Sequence, residues 1–231
     1  MPTSTSLRVG GLSPLSSVDW PGELVATVFL QGCPWRCPYC HNPHLLGASG
    51  GDALEWTGVL EFLRTRVGLL DGVVFTGGEP TVRPGLADAM REARELGFKV
   101  ALHTGGPVPD RVRELLPLVD WVGFDVKAPF SEYKRVTRVV GSGEAARESL
   151  RLLIESGVAY EARTTVHPSL LDDSALLRMA DELAEMGAVR WILQPFRVEG
   201  CGDDELVAQL PVALRLTPEL ATHTVAVSIR D

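Results

Sequence analysis

The run LVATVFLQGCPWRCPYC, Leu24–Cys40, decides the architecture. Its first seven residues, Leu24–Leu30, are apolar or β-branched at nearly every consecutive position, the pattern of a strand covered on both faces. Such a strand belongs to a parallel sheet flanked by helices, and this one runs into a Gly- and Pro-rich segment holding three cysteines. Outward from it the same alternation recurs: Gly72–Phe75, Phe98–Leu102, Trp121–Phe124, Val158–Thr165 and Arg190–Leu193 read as strands, separated by segments of helical period. Right-handed crossovers between six such strands curl the sheet, but six are fewer than the eight of a closed barrel. The expected fold is α/β, a partial (β/α)6 TIM-like barrel with parallel strands, open on one side.

The helical segments carry end signals. Ser142 is expected as an N-cap, with Leu150, Leu153 and Ile154 on one face and Gly157 past the end. The next helix is expected to begin near Asp172–Ser174, to show Leu176, Ala180, Leu183 and Ala184 on one face, and to stop at Gly187. Residues 1–231 are read as one domain, in which 1–22 is too turn-rich for the repeat and forms a hairpin or lid. Residues 195–231 form a tail with one or two short helices and a strand at Thr224–Ile229.

A hydrophobic fraction of 45% and a charged fraction of 23% argue against disorder, coiled coil and collagen-like structure. The net charge of −8 opposes the phosphate-neutralising surface that nucleic-acid binding needs, so no nucleic acid is expected as a partner. The first ten residues, MPTSTSLRVG, lack an apolar signal region and no apolar run reaches membrane-spanning length, so the expectation is a cytoplasmic protein with no membrane partner. Of the four cysteines, three crowd into 33–40 and Cys201 stands apart, which suits reduced metal ligands better than a disulfide framework.

The unusual residues follow the strands on one side. Cys33, Cys37 and Cys40 come after the first, Gly77-Gly78-Glu79-Pro80 after the second, His103-Thr104-Gly105-Gly106 after the third, and Asp125 and Lys127 after the fourth. Arg163 and Thr165 lie late in the fifth, with His167 beyond, and Gln194 follows the sixth. Parallel β/α enzymes build their sites at this C-terminal end, so residues scattered along the chain are expected to converge.

C-x-x-x-C-x-x-C would also align on one face of a helix, but Pro34 and Pro38 follow two of the cysteines and push Cys33 and Cys37 toward extended backbone, so a loop is expected. Zinc, with His41 as fourth ligand, is the competing reading; His41 adjoins Cys40, whereas structural zinc sites use separated ligand pairs. A 4Fe-4S cluster held by only three cysteines leaves one iron open to a small molecule.

C-x-x-x-C-x-x-C after the first strand together with GGEP after the second resembles the radical S-adenosylmethionine (SAM) enzymes. The resemblance implies a 4Fe-4S cluster on Cys33, Cys37 and Cys40, whose open iron the methionine amino and carboxylate groups chelate. One electron then breaks a carbon–sulfur bond and leaves methionine and a 5′-deoxyadenosyl radical. Ser17–Gly22, Phe29–Pro43 (FLQGCPWRCPYCHNP), Val126-Lys127 after Asp125, and Arg163–Pro168 (RTTVHP) look like the glycyl-radical-enzyme activating proteins, specifically those of anaerobic ribonucleoside-triphosphate reductase. The pyruvate formate-lyase activating enzyme is a more distant likeness.

Carried over residue by residue, Gly77, Gly78 and Glu79 are expected at the methionine amino group, Tyr39 near adenine, Arg163 at the methionine carboxylate or ribose, and Asp125 and Lys127 as further cofactor-binding residues. The implied partners are a glycyl radical enzyme and a low-potential electron donor such as flavodoxin or ferredoxin. Relatives commonly carry D-T-N-G where this chain has His103-Thr104-Gly105-Gly106, so no cation is expected there. A radical enzyme acting on a small metabolite or another peptide, and a non-enzymatic zinc-binding module, are the alternatives. His44, His167 and His223 are read as structural or surface histidines and Cys201 as a small buried hydrophobe.

Overall fold

Residues 7–47, 54–209 and 213–230 are described by a computed structural model of the chain. In chain order the elements are β1 (Arg8–Ser16), β2 (Val25–Leu30), β3 (Leu54–Glu55), α1 (Trp56–Arg64), β4 (Gly72–Gly77), α2 (Leu86–Glu95), β5 (Lys99–Thr104), α3 (Pro109–Leu115) and β6 (Trp121–Asp125). They continue with α4 (Tyr133–Thr137), α5 (Ser142–Ser156), β7 (Ala159–Val166), α6 (Asp173–Glu185), β8 (Arg190–Pro195), α7 (Asp204–Ala208), α8 (Pro218–Ala221) and β9 (Ala226–Ile229).

One nine-stranded sheet has the order β3-β1-β2-β4-β5-β6-β7-β8-β9. From β2 to β9 every pairing is parallel and the order never reverses. Successive right-handed crossovers without a reversal place the helices on one face and curl the sheet around the other. The ends of the order, β3 and β9, are not paired to each other among the described residues, so the barrel stays open. Seven strands run in parallel where six were expected, because Ala226–Ile229 in the C-terminal tail adds to β8. The turn-rich N-terminal stretch supplies β1, antiparallel to β2, so its residues extend the sheet; residues 1–6 lie outside the described residues.

Strand alternation sorts the side chains. Ala26, Val28 and Leu30 of β2, Val73 and Phe75 of β4, Val100 and Leu102 of β5, Val122 and Phe124 of β6 and Trp191 and Leu193 of β8 face the helices in the main core. The intervening positions face the lumen, where Val25, Val74, Ala101 and Trp121 form a separate apolar floor sealed by Trp20. Trp20 stacks on Trp121 with ring centroids 6.0 Å apart. Two residues further along each strand the same parity delivers Thr27, Thr76, His103 and Gly123, and further still Asp125, Arg163, Thr165 and Gln194, toward the C-terminal end. The polar site thus sits on an apolar plug.

Helix α5 begins differently from the sequence expectation. Its N-cap is Gly141, in a left-handed conformation (φ 77°), and Ser142 is the first helical residue. The Ser142 hydroxyl donates to the Val139 carbonyl at 2.8 Å and meets Thr137 Oγ1 at 2.6 Å, so it ties the helix to the preceding turn instead of capping helical N–H groups. Gly157 ends α5 in the left-handed region, and Asp172 caps α6 by accepting from Ala175 N at 2.8 Å. Among the described residues no helix is long and apolar enough to cross a membrane.

Candidate active site

The cysteine segment leaves β2 as a loop without helical structure. Backbone bonds pin it on three sides: Gly32 N donates to Leu45 O (2.7 Å), Glu79 N to Gly32 O (2.8 Å) and Arg36 N to Thr137 O (2.9 Å). The Arg36 guanidinium donates back to the Cys33 and Trp35 carbonyls at 2.6 and 2.8 Å. Pinned in this way, Cys33, Cys37 and Cys40 are free thiols that face one cavity of about 350 Å³. Burial, reinforced by the nearby Glu79 charge, pushes the Cys33 thiol up to about 12, and burial also raises Cys37. Thiols so placed give up their protons to a metal and not to water.

The two glycines after β4 are required by packing. Gly77 has φ 123°, and a Cβ there would run into the Leu30 backbone; one on Gly78 would lie 2.5 Å from the Gly32 carbonyl. Gly78 N donates to Leu30 O at 2.8 Å, so the glycine pair extends the parallel pairing along the root of the cysteine loop. Glu79 is buried, 3% exposed, and its carboxylate is occupied by protein donors. Oε1 accepts from Thr81 N (3.0 Å), Thr81 Oγ1 (2.7 Å) and Thr104 Oγ1 (2.7 Å), and Oε2 from Gly105 N (3.0 Å). Burial raises its pKa against the pull of these four donors. Glu79 therefore ties the end of β4 to the end of β5, a role that sequence reading did not foresee.

Asp125, Lys127 and Arg163 form a charged wall. Arg163 donates to Asp125 Oδ1 from Nε (3.1 Å) and Nη2 (2.9 Å), lying across Gly123, where a Cβ would meet the guanidinium at 2.6 Å. Lys127 Nζ stands 3.8 Å from Asp125 Oδ2 and 5.7–5.8 Å from the ring centres of Tyr39 and Trp35. Burial alone would raise the Asp125 carboxyl, but Arg163 and then Lys127 hold it below its ordinary value. Burial would lower Lys127, but Tyr39, Asp125 and Cys37 hold it well above its ordinary value. Tyr39 is 5% exposed on the same wall, its hydroxyl pKa raised by burial.

All ten residues singled out by sequence line this cavity: the three cysteines, Tyr39, Gly77, Gly78, Glu79, Asp125, Lys127 and Arg163. Sequence reading missed Trp35, which packs edge-on to Tyr133 at 6.0 Å and fills the space a side chain on Gly105 would need. It also missed Arg230, which enters from the end of β9 and donates to buried Glu161 at 2.6 Å. The signals in the sequence were a bulky aromatic between two of the cysteines and a charge at the end of a weak strand. His41 lines the cavity too, with its Nε2 2.9 Å from the Arg197 carbonyl. Cys201 reaches the Pro38 carbonyl at 3.5 Å, and buried His167 bonds Ser169 and the Leu206 carbonyl.

The donor set fits a cluster with three thiolate ligands, and the adjoining cavity is of the size that takes a small cofactor. A model of the radical SAM superfamily matches residues 27–180. A protein of Methanocaldococcus jannaschii assigned as a glycyl-radical enzyme activating enzyme is 31% identical over 206 residues, covering 85% of this chain and 83% of that one. The pyruvate formate-lyase-activating enzyme of Clostridium pasteurianum is 32% identical over 178 residues, covering 74% and 73%. Among solved structures, Streptococcus suis SuiB bound to its precursor peptide SuiA superposes with a TM-score of 0.63 at 14% identity, over 86% of this chain and 46% of SuiB. At that identity the likeness is one of fold.

Proposed function

The chain belongs to the radical SAM superfamily, among its glycyl-radical enzyme activating enzymes, and from that premise we propose that it abstracts the Cα hydrogen of a glycine in an anaerobic ribonucleoside-triphosphate reductase. The observation that carries the reading is the convergence of three free thiols and the Gly77–Gly78 turn on one cavity. Cys33, Cys37 and Cys40 would hold a 4Fe-4S cluster. When bound, the cluster and SAM supply a carbon-centred radical that takes one hydrogen atom, the electron coming from a low-potential donor protein. The Gly77–Gly78 turn, packed on the Leu30 and Gly32 backbone, presents its own backbone to the cavity beside the cysteine loop. Tyr39 offers the cofactor a buried ring, and Lys127 a cation for its carboxylate.

Asp125 and Arg163 neutralise each other and keep that wall rigid. The sheet is not closed among the described residues and Val18, 77% exposed, lines the cavity, which leaves room for a glycine-bearing loop to enter. The choice of reductase over other glycyl radical enzymes is supported by the resemblance at 17–22, 29–43 and 163–168.

The test is incubation of reduced, cluster-loaded protein and SAM with the reductase deuterated at the target glycine Cα. A glycyl radical by electron paramagnetic resonance, with label in 5′-deoxyadenosine, is the expected result. Label from pyruvate formate-lyase or from a free metabolite, and none from the reductase, would overturn the choice of target.

A further inference from the structure

Between β1 and β2 the chain dips into the lumen, and what holds it there is unusual. Trp20 is anchored on the floor by Trp121, while Val18 stands exposed at the cavity mouth. Asp19, between them, lines the cavity. Its tertiary hydrogen bonds among the described residues are two: Thr27 Oγ1 donates to Oδ2 at 2.6 Å, and His103 Nε2 lies 2.8 Å from its backbone carbonyl.

His103 Nε2 also lies 3.3 Å from Arg163 Nη1. A carbonyl only accepts and a guanidinium only donates, so one ring nitrogen cannot serve both. The shorter distance puts the proton on Nε2, directed at Asp19. Arg163 Nη1 is then a neighbour, and its remaining nitrogens stay on Asp125. The second ring nitrogen, Nδ1, has no partner among the described residues. Burial and the adjacent Arg163 charge pull His103 down to about 3, against the smaller opposite pull of Asp125 and Asp19, so the ring is neutral. Its edge packs on Trp121, 5.7 Å between centroids.

We propose that His103 is a positioning residue of the cofactor cavity: its Nε2–H holds the Asp19 carbonyl and thereby fixes the Val18–Trp20 segment as one wall of the site. A carboxylate at 103 would meet the Asp19 carbonyl with acceptor against acceptor. Without that bond the segment would be held by Thr27 on the Asp19 side chain and by Ser16 Oγ, which accepts from Val18 N at 3.3 Å and Asp19 N at 3.2 Å, leaving the Asp19 carbonyl unheld between Ser16 and the Trp20 anchor. The role does not depend on which protein carries the target glycine.

The experiment uses cluster-free protein, so its outcome is separate from that of the proposed reaction. Glutamine places an amide N–H where Nε2 stands, whereas asparagine places one near Nδ1. Hydrogen exchange over residues 17–23 should therefore match wild type in His103→Gln. It should be faster by on the order of tenfold in His103→Asn and His103→Ala, with β5 and β6 unchanged. Binding of S-adenosylhomocysteine should weaken in the same two variants. In the wild-type protein, long-range nitrogen–proton NMR should show a neutral Nε2–H tautomer from pH 5.5 to 8. Asparagine protecting the segment as well as glutamine does, or a wild-type imidazolium or Nδ1–H tautomer, would overturn the proposal.

Discussion

Replacing Glu79 by glutamine separates two roles for this residue, because the structure commits its carboxylate to the protein. Oε1 takes three donors and Oε2 one, so the glutamine oxygen must occupy the Oε1 place. The new amide nitrogen then faces Gly105 N–H, donor against donor, in a buried setting. Losing one hydrogen bond to a charged group costs about 1.5–3 kcal/mol, and relief of the buried charge offsets part of that. A net loss of about 2 kcal/mol is expected. With a urea m-value of about 2–3 kcal/mol/M for a chain of this size, the midpoint should fall by about 0.7–1 M. The measurement is equilibrium urea unfolding of cluster-free protein under reducing, anaerobic conditions, with the m-value fitted for both forms. SAM affinity should fall as a secondary effect of the loosened β4–β5 connection. If the midpoint of Glu79→Gln moves by less than about 0.2 M while SAM binding collapses, the carboxylate acts on the cofactor directly and the structural role is wrong.

Five other substitutions test the frame of the site. Cys33→Ala, Cys37→Ala and Cys40→Ala should each lose bound iron and its charge-transfer absorption, whereas Cys201→Ser, whose thiol packs on the edge of the core and reaches the Pro38 carbonyl at 3.5 Å, should retain both on anaerobic reconstitution. Gly78→Ala should cost about 2–4 kcal/mol in the same unfolding assay, since its Cβ would sit 2.5 Å from the Gly32 carbonyl and backbone cannot rotate away as a side chain can. The cost should persist without the cluster.

Much of this arrangement was legible in the chain itself. Consecutive apolar residues at Leu24–Leu30 and in the later strands can be satisfied only by a sheet covered on both faces, and sequential β/α units leave one handed way to wind it. Pro34 and Pro38 rule out a helix locally, through the missing N–H and the restricted preceding residue, so the cysteine loop needed no distant information. Gly77 and Gly78 also announced themselves, although the reason, the Leu30 and Gly32 backbone pressed against them, lies on another strand.

What the chain could not disclose was how charges and donors are shared once strands far apart in sequence stand side by side. Glu79 reads as an unpaired carboxylate until Thr104 and Gly105, at the end of a different strand, fill it, and Arg163 as an unpaired cation until Asp125 stands beside it. His103 looks like a lost carboxylate until Asp19, 84 residues away, supplies a carbonyl for its proton. Local backbone preference and hydrophobic period act within a few residues and so are written in sequence. Hydrogen-bond partnership is settled by proximity at about 3 Å, which exists only after the sheet has curled.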